Sequence, residues 1–243
     1  MELKKDITIM KKHIPNIITS FNLLSGIIAI ILTFQGELCM AAGFMALGAF
    51  FDFFDGMAAR ALHVKSEMGK QMDSLADLVS FGVVPGFIMY QLLLSSPNLP
   101  QWSVLNINIA PYFAFIIPVL SAFRLAKFNI DTRQTDSFIG VPTPANALLI
   151  GSLPFIINGV FSIQLVQVHN YYLLIVLSVV MAFLLVAELP LFALKFKGFS
   201  WQGNQLRFSF ILLSILLLIL LKVTAFPFII LSYIILSLLF RKK

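Results

Sequence analysis

Long apolar runs, each close to the length of a bilayer crossing, alternate with short polar connections along nearly the whole chain. A crossing needs about 20 predominantly apolar residues. On that measure the pattern predicts eight spans, near residues 17–34, 38–60, 70–95, 109–128, 144–161, 171–189, 206–221 and 225–240. The last two, FSFILLSILLLILL and AFPFIILSYIILSLLF, are short, nearly without polar positions and close together, which fits a tight hairpin. Ahead of the first span, MELKKDITIMKKHIPN mixes Lys4, Lys5, Lys11 and Lys12 with Leu3, Ile7, Ile9 and Met10. That mixture fits a short interfacial helix with its lysines toward the headgroups, or a plain basic anchor. It lacks the small-residue cleavage site of a signal peptide. The chain thus divides into a basic segment at 1–16, a transmembrane core at 17–190, and a loop with a two-helix extension at 191–243.

Composition agrees with this pattern. The 243 residues are 59% hydrophobic and 12% charged, where a soluble domain carries about 25% charged residues. The expected fold class is all-α, a polytopic membrane protein without a separate soluble module. The net charge of +6 does not indicate nucleic acid, because the basic residues are scattered over short loops with no aromatic interleaving. They report topology instead. With eight spans, every Lys and Arg except Lys222 falls on one side, which the positive-inside rule makes cytoplasmic. Both termini are expected there, in an integral membrane protein of the bacterial cytoplasmic membrane type. The single cysteine, Cys39, excludes an intrachain disulfide, and His13, His63 and His169 lack ligand spacing.

Four acids break the apolar pattern. Asp52, Asp55, Asp73 and Asp77 sit on the second and third spans, in FFDFFDGMAARALHVKSEMGKQMDSLAD. A charge at mid-bilayer costs about 2.5–3.5 kcal/mol on the insertion scale, so four together require compensation. Residues three and four apart share a helix face. Asp52, Asp55, Gly56 and Ala59 form one such stripe, and Gly69, Asp73 and Asp77 another. The short connection makes the two helices antiparallel neighbours, so four carboxylates can converge at one end. Hard divalent cations suit such a set, and Mg²⁺ often completes its shell with substrate phosphates. A pair of metals can stabilise attacking and leaving oxygens together. Gly56 and Gly69 leave room for a ligand, and Arg60 offers a fork matched to phosphate. Helix packing explains single small residues well, but it does not explain four acids. The rival from another class is a cation transporter, which predicts acids spread through the membrane depth. A non-catalytic lipid-binding protein would not need all four.

The spacing Asp-x₂-Asp-Gly-x₂-Ala-Arg-x₈-Gly-x₃-Asp-x₃-Asp resembles the signature of the CDP-alcohol phosphatidyltransferase family. Asp52, Asp55, Gly56, Ala59, Arg60, Gly69, Asp73 and Asp77 match it without a gap. The resemblance covers roughly the first six spans, which it identifies as a six-helix catalytic core; the last two spans are an addition. It implies a CDP-linked lipid as substrate and CMP as a product. Two divalent ions, Mg²⁺ or Mn²⁺, would be held by Asp52, Asp55 and Asp73. Asp77 would complete the cluster or act as general base. Gly56, Ala59, Arg60 and Gly69 would line the nucleotide. A homodimer is also implied.

A second stretch bears on the acceptor alcohol. SAFRLAKFNIDTRQTDSFIGVPTPANA is similar to the corresponding region of membrane-embedded phosphatidylserine synthases, with Arg124, Lys127, Asn129, Phe138, Gly140, Pro142 and Pro144 in place. That similarity implies CDP-diacylglycerol and L-serine as substrates. Arg124 would bind the serine carboxylate or the lipid phosphate, unless it merely pairs with an acid such as Asp77. Lys127 and Asn129 are further candidates. Asn16, Thr19 and Asn22, about one turn apart on the first span, can touch headgroup or nucleotide, or bond between helices. A dianionic acceptor, glycerol 3-phosphate or an inositol phosphate, would instead need a cation cluster, for which Arg124, Lys127 and Arg133 are available. Gly140 and the prolines of FIGVPTPAN predict an ordered loop. Glu188, before Leu-Pro, reads as a buried acid at a helix break.

Overall fold

The computed structural model describes residues 2–64, 66–131, 137–160, 166–192 and 204–240, with the side chains of 2–12, 137–138 and 166 left aside. The expected role of Arg133, the lysines of the amino-terminal segment and Lys65, Lys195 and Lys197 therefore lie outside the described residues.

The apolar runs form helices where the pattern predicts them. The first is α1 (Glu2–Phe34), which carries Pro15 in its interior. The basic segment is helical and continues into the first span rather than lying as a separate interfacial element. A tight turn at 35–37, with Gly36 at φ 81°, leads into α2 (Leu38–Ala61). The third span is composite. It comprises α3 (Glu67–Leu78), one widened π-type turn over Val79–Val83, and α4 (Val84–Leu94). The N-cap of α3 is Ser66, whose hydroxyl accepts from the Gly69 amide at 3.2 Å, satisfying a donor that a helix start otherwise leaves open.

A two-residue hairpin, β1 (Ser103–Val104) with β2 (Ile107–Asn108), occupies the connection at the far end. A 3₁₀ turn at Ala110–Phe115 then enters α5 (Ile116–Ile130). After it come β3 (Ser137–Ile139), α6 (Thr143–Asn158), α7 (Tyr171–Val186) and β4 (Pro190–Phe192). Both α6 and α7 have 16 residues, about 24 Å at 1.5 Å per residue. That is short of a 30 Å hydrocarbon core. Asn170 caps α7 by accepting from the Tyr172 and Leu173 amides.

The sixth span ends earlier than expected because Ala187 turns extended (φ −63°, ψ 142°). The freed chain pairs antiparallel with β3, so that Phe138 faces Leu191 in register. Gly140 closes this seam. Its φ is +76°, and a Cβ there would run into the Leu185 carbonyl, so the position suits glycine alone. The expected ordered loop at FIGVPTPAN is thus a strand and a helix entry. Glu188 corrects an expectation: it is exposed, with its carboxylate 3.1 Å from the Lys127 ammonium. The helix break that was read as burying the acid instead lifts it to the end of the bundle.

The chain ends in α8 (Gln205–Leu221), a 3₁₀ turn at Lys222–Ala225, and α9 (Phe226–Leu239). Lys222 takes φ 52°, ψ −133°, which reverses the chain. The Phe210 ring lies 5.6 Å from that of Tyr233, so α8 and α9 fold back on each other as a hairpin. α9 packs on α6 and β4. The core between helices is built from Met45, Ile88, Met89, Ile117, Ile150, Leu174 and Met181, all essentially inaccessible. The described residues thus make eight helical passes, with five stretches long and apolar enough to cross a membrane and α6 and α7 shorter.

Candidate active site

The end of the bundle where α1 begins, α2 ends and α3 begins carries the acids. Asp52 and Asp55 come from the last turns of α2, and Asp73 from the second turn of α3. Their carboxylate oxygens lie within 4.8 Å of one another. Asp77 stands one turn further along α3, and Asp52 is within hydrogen-bonding reach of it. Asp77 also accepts from the Asn22 amide at 3.2 Å. Asp55 is 6% exposed and accepts from the Thr19 hydroxyl at 2.6 Å. The first span therefore orients two of the four acids: Asn22 holds Asp77 away from the cavity, whereas Thr19 holds Asp55 at the cavity wall.

No Lys, Arg or His among the described residues forms a salt bridge with any of the four acids; the ion pair that does form is Lys127–Glu188. Carboxylates packed this closely repel strongly, and the repulsion grows as water is excluded. Oxygen-only donors, clustered and without a salt-bridge partner, are what Mg²⁺, Mn²⁺ or Ca²⁺ require. The residues present thus fit a hard divalent cation.

Beside the cluster opens a cavity of ≈ 330 Å³, lined by Pro15, Asn16, Thr19, Asp55, Gly56, Ala59, Val64, Ser66, Glu67, Gly69, Lys70 and Asp73. Asn16, Gly56, Ala59 and Gly69, which the sequence offered as nucleotide or headgroup contacts, are among these lining residues. A Cβ on Gly69 would stand 3.0 Å from the Asn16 side-chain oxygen, so the small residue keeps α1 and α3 close and the cavity open. Arg60 is exposed at the end of α2, with its guanidinium next to Gly56. It does not line the cavity itself.

The remaining candidates separate. Asn129 is turned to α3: its amide donates to the Ser74 hydroxyl at 2.8 Å, and its backbone carbonyl accepts from Lys70 at 2.8 Å. Lys127 is held by Glu188. Arg124 is 8% exposed and donates to the Thr143 hydroxyl at 3.2 Å. It lies near enough to Asp77 for the two charges to interact, and its guanidinium carbon is 6.0 Å from the Phe128 ring centroid. The charge pairing weighed for Arg124 is therefore present at longer range, without a direct salt bridge. Sequence reasoning did not single out the buried Ser121, Thr143 and Asn146. Serines, threonines and asparagines in membrane helices carry no distinctive spacing, and only their burial marks them.

The fold and the site together define an α-helical membrane protein with an acidic, metal-competent centre opening on one end of its bundle. A family model described as CDP-alcohol phosphatidyltransferase matches residues 12–193. The chain belongs to that family, and the match spans the acids and the first six spans while ending before α8. Among its relatives is the CDP-diacylglycerol–serine O-phosphatidyltransferase of Bacillus subtilis, 37% identical over 148 residues, 61% of this chain and 78% of that protein. The archaetidylserine synthase of Methanothermobacter thermautotrophicus is 31% identical over 173 residues, 69% of this chain and 66% of that protein. A CDP-diacylglycerol–serine O-phosphatidyltransferase of Helicobacter pylori is 35% identical over 138 residues, 56% of this chain and 54% of that protein.

Proposed function

We propose that this protein is a phosphatidylserine synthase, transferring the phosphatidyl group of CDP-diacylglycerol to L-serine and releasing CMP. The observation that carries the chemistry is the Asp52–Asp55–Asp73 triad with its oxygens within 4.8 Å, opening on a cavity of nucleotide dimensions. Serine as acceptor is supported by relatives named as serine phosphatidyltransferases.

In this reading the triad binds two divalent ions, Mg²⁺ or Mn²⁺, with Asp77 beside them. Such ions would supply positive charge to the diphosphate and polarise its lipid-side phosphorus. Asn16, Gly56, Ala59 and Gly69 receive the cytidine end, with Arg60 at the rim. The serine hydroxyl oxygen bonds to the lipid-side phosphorus, and the bond from that phosphorus to the bridging oxygen breaks. CMP departs with the electron pair. Asp77, aligned by Asn22, takes the hydroxyl proton. Arg124 faces the acceptor's carboxylate, and Lys127 and Asn129 stand at the membrane-surface edge of that side. The active site and both termini face the cytoplasm, where CDP, serine and the basic loops belong. Homodimer formation is part of the same reading, and cross-linking in native membranes tests it.

The reaction is tested by CMP release from purified protein with CDP-diacylglycerol and Mg²⁺ or Mn²⁺, offering L-serine, glycerol 3-phosphate or an inositol phosphate in turn. Serine-dependent release is the expected outcome. Release only with a phosphorylated acceptor would keep the family and overturn serine. Lys127 argues against the phosphorylated acceptors, because its charge is already matched by Glu188. The transporter reading is disfavoured because the acids cluster at one end of the bundle.

A further inference from the structure

Most buried polar side chains among the described residues have partners; a small group, mainly on α5 and α6, leaves atoms without one. Asn146 on α6 is 0% exposed, and neither its amide nitrogen nor its amide oxygen has a hydrogen-bond partner among the described residues. The same holds for the hydroxyl of Ser121, also 0% exposed, and for Nε of Arg124. Leaving one buried amide wholly unpaired is costly, and such groups in native folds require an explanation.

Their placement supplies one. Ser121 and Arg124 are one turn apart on α5, and Thr143 and Asn146 one turn apart on α6. The Arg124–Thr143 hydrogen bond sets the two stripes face to face. Ser121 lies against Gly82 in the widened turn that comes after Asp77. Asn22, which holds Asp77, has its own side-chain oxygen buried and unpartnered. Ser121, Arg124 and Asn146 thus leave unspent donors and acceptors along the facing stripes of α5 and α6, whose link to the acids is Arg124, close enough to Asp77 for the two charges to interact; none of the three lines the cavity between α1, α2 and α3.

We propose that Asn146 recognises the amino-acid end of the acceptor, its Oδ1 accepting from the ammonium and its Nδ2 donating to the carboxylate, beside the guanidinium of Arg124. The inference rests on the serine reading above. An α-amino acid brings one cationic donor and one anionic acceptor to a single carbon, and a primary amide offers the complementary pair. A phosphate ester brings only acceptors at its charged end and would leave Oδ1 unpaired. The amide has no partner within the protein because the acceptor is the group that satisfies it, a case of stability given up for specificity.

The test uses the full-length protein in detergent micelles or proteoliposomes, with Asn146→Leu, which keeps the volume and removes both polar atoms. The KM for L-serine is expected to rise about 10- to 100-fold, the effect of one or two hydrogen bonds to charged groups, with the KM for CDP-diacylglycerol unchanged. Discrimination between L-serine and glycerate, which lacks the ammonium, should shrink by a similar factor. Without substrates the variant should melt at or above the wild-type temperature, since an unpaired buried amide has been removed. An unchanged serine KM in the folded variant would overturn the proposal. So would a lower melting temperature with serine and lipid parameters falling together, which marks a packing role. If Asn146→Leu is not recovered folded, Asn146→Ser is measured in the same way against the same criteria. Wild-type protein that releases CMP with another acceptor and not with serine would overturn the serine reading itself, and is told apart because it needs no variant.

Discussion

The two ends of this chain use the membrane in opposite ways. The third span, which carries Asp73 and Asp77, buries Ala76, Phe81, Val84, Ile88, Met89, Leu92 and Leu93 in protein; the longer α8–α9 hairpin buries of its apolar side chains only Phe210, Ala225, Ile230, Tyr233 and Ile234. The hairpin shows Leu212, Ile219, Leu220 and Leu239 to its surroundings and has no carboxylate side chain anywhere. Hydrocarbon solvates such a surface at no cost, so little in it needs a protein partner. The acids of α2 and α3 can exist only where neighbours, water or ions meet their charge. Polar residues inside a membrane therefore report function, whereas apolar length reports only that a crossing exists.

The comparison breaks most visibly at Asp73. Asp73→Asn keeps the shape and removes one negative charge from the triad. The expected result is a loss of CMP release of at least about 10²–10³-fold, the scale of removing one preorganised electrostatic group from a reaction centre. Thermal stability without metal should hold or rise, because repulsion among the acids is relieved. Retained activity in a folded variant would sever the triad from the chemistry. Metal-dependent thermal stabilisation offers an independent readout: wild type should gain melting temperature with added Mg²⁺ or Mn²⁺, and the variant should gain less.

Next in size is Gly140, in the β3–β4 seam at the carboxyl end of the six-span core. Gly140→Ala forces a Cβ at φ +76° against the Leu185 carbonyl. Backbone strain of this type costs about 1–3 kcal/mol before any clash is counted. Yield and melting temperature should both fall, while any protein that does fold keeps its KM for CDP-diacylglycerol. A variant as stable as wild type would show the seam to be dispensable.

Thr19→Val sharpens the acid end. It removes the hydroxyl that donates to Asp55 at 2.6 Å and leaves all four acids. Outer partners of metal ligands are typically worth about 10–100-fold in metal affinity or activity. The half-saturating metal concentration should rise toward the lower figure, with kcat at saturating metal little changed. An unaltered metal titration would reduce Thr19 to a helix-packing residue, consistent with its other bond to the Pro15 carbonyl at 3.0 Å.

The same contrast governs how much of the molecule is legible in the chain. Periodicity is blunt in a membrane, yet apolar length alone located the helices, including the hairpin that Lys222 reverses. The acid constellation was legible because Asp at i, i+3 and i, i+4 on apolar helices has few explanations. Thr19 and Asn22 were visible only as a stripe, and their division between Asp55 and Asp77 needed coordinates. Glu188 misled, since a break in a span can bury an acid or lift it out, and only the pairing of β4 with β3 decides. Asn146 was illegible: a lone Asn gives no signal until its surroundings show that nothing satisfies it.

The smallest effect tests whether the hairpin is as detached as its surface suggests. Tyr233 on α9 is largely buried, and its hydroxyl donates to the Phe192 carbonyl at 2.8 Å, tying the hairpin to β4 at the end of the core. Its ring packs against Phe192 and Phe210 at 5.0 and 5.6 Å, contacts that Tyr233→Phe would keep. Only the hydrogen bond is lost, about 1 kcal/mol, which lowers the melting temperature by about 2–4 °C in a protein of this size. The serine and lipid KM values should not move. Tyr233 is also close enough to Arg124 for an electrostatic interaction. A selective rise in the serine KM would therefore mean that α9 helps to position Arg124, and that the two ends of the chain are joined through the acceptor side of the site.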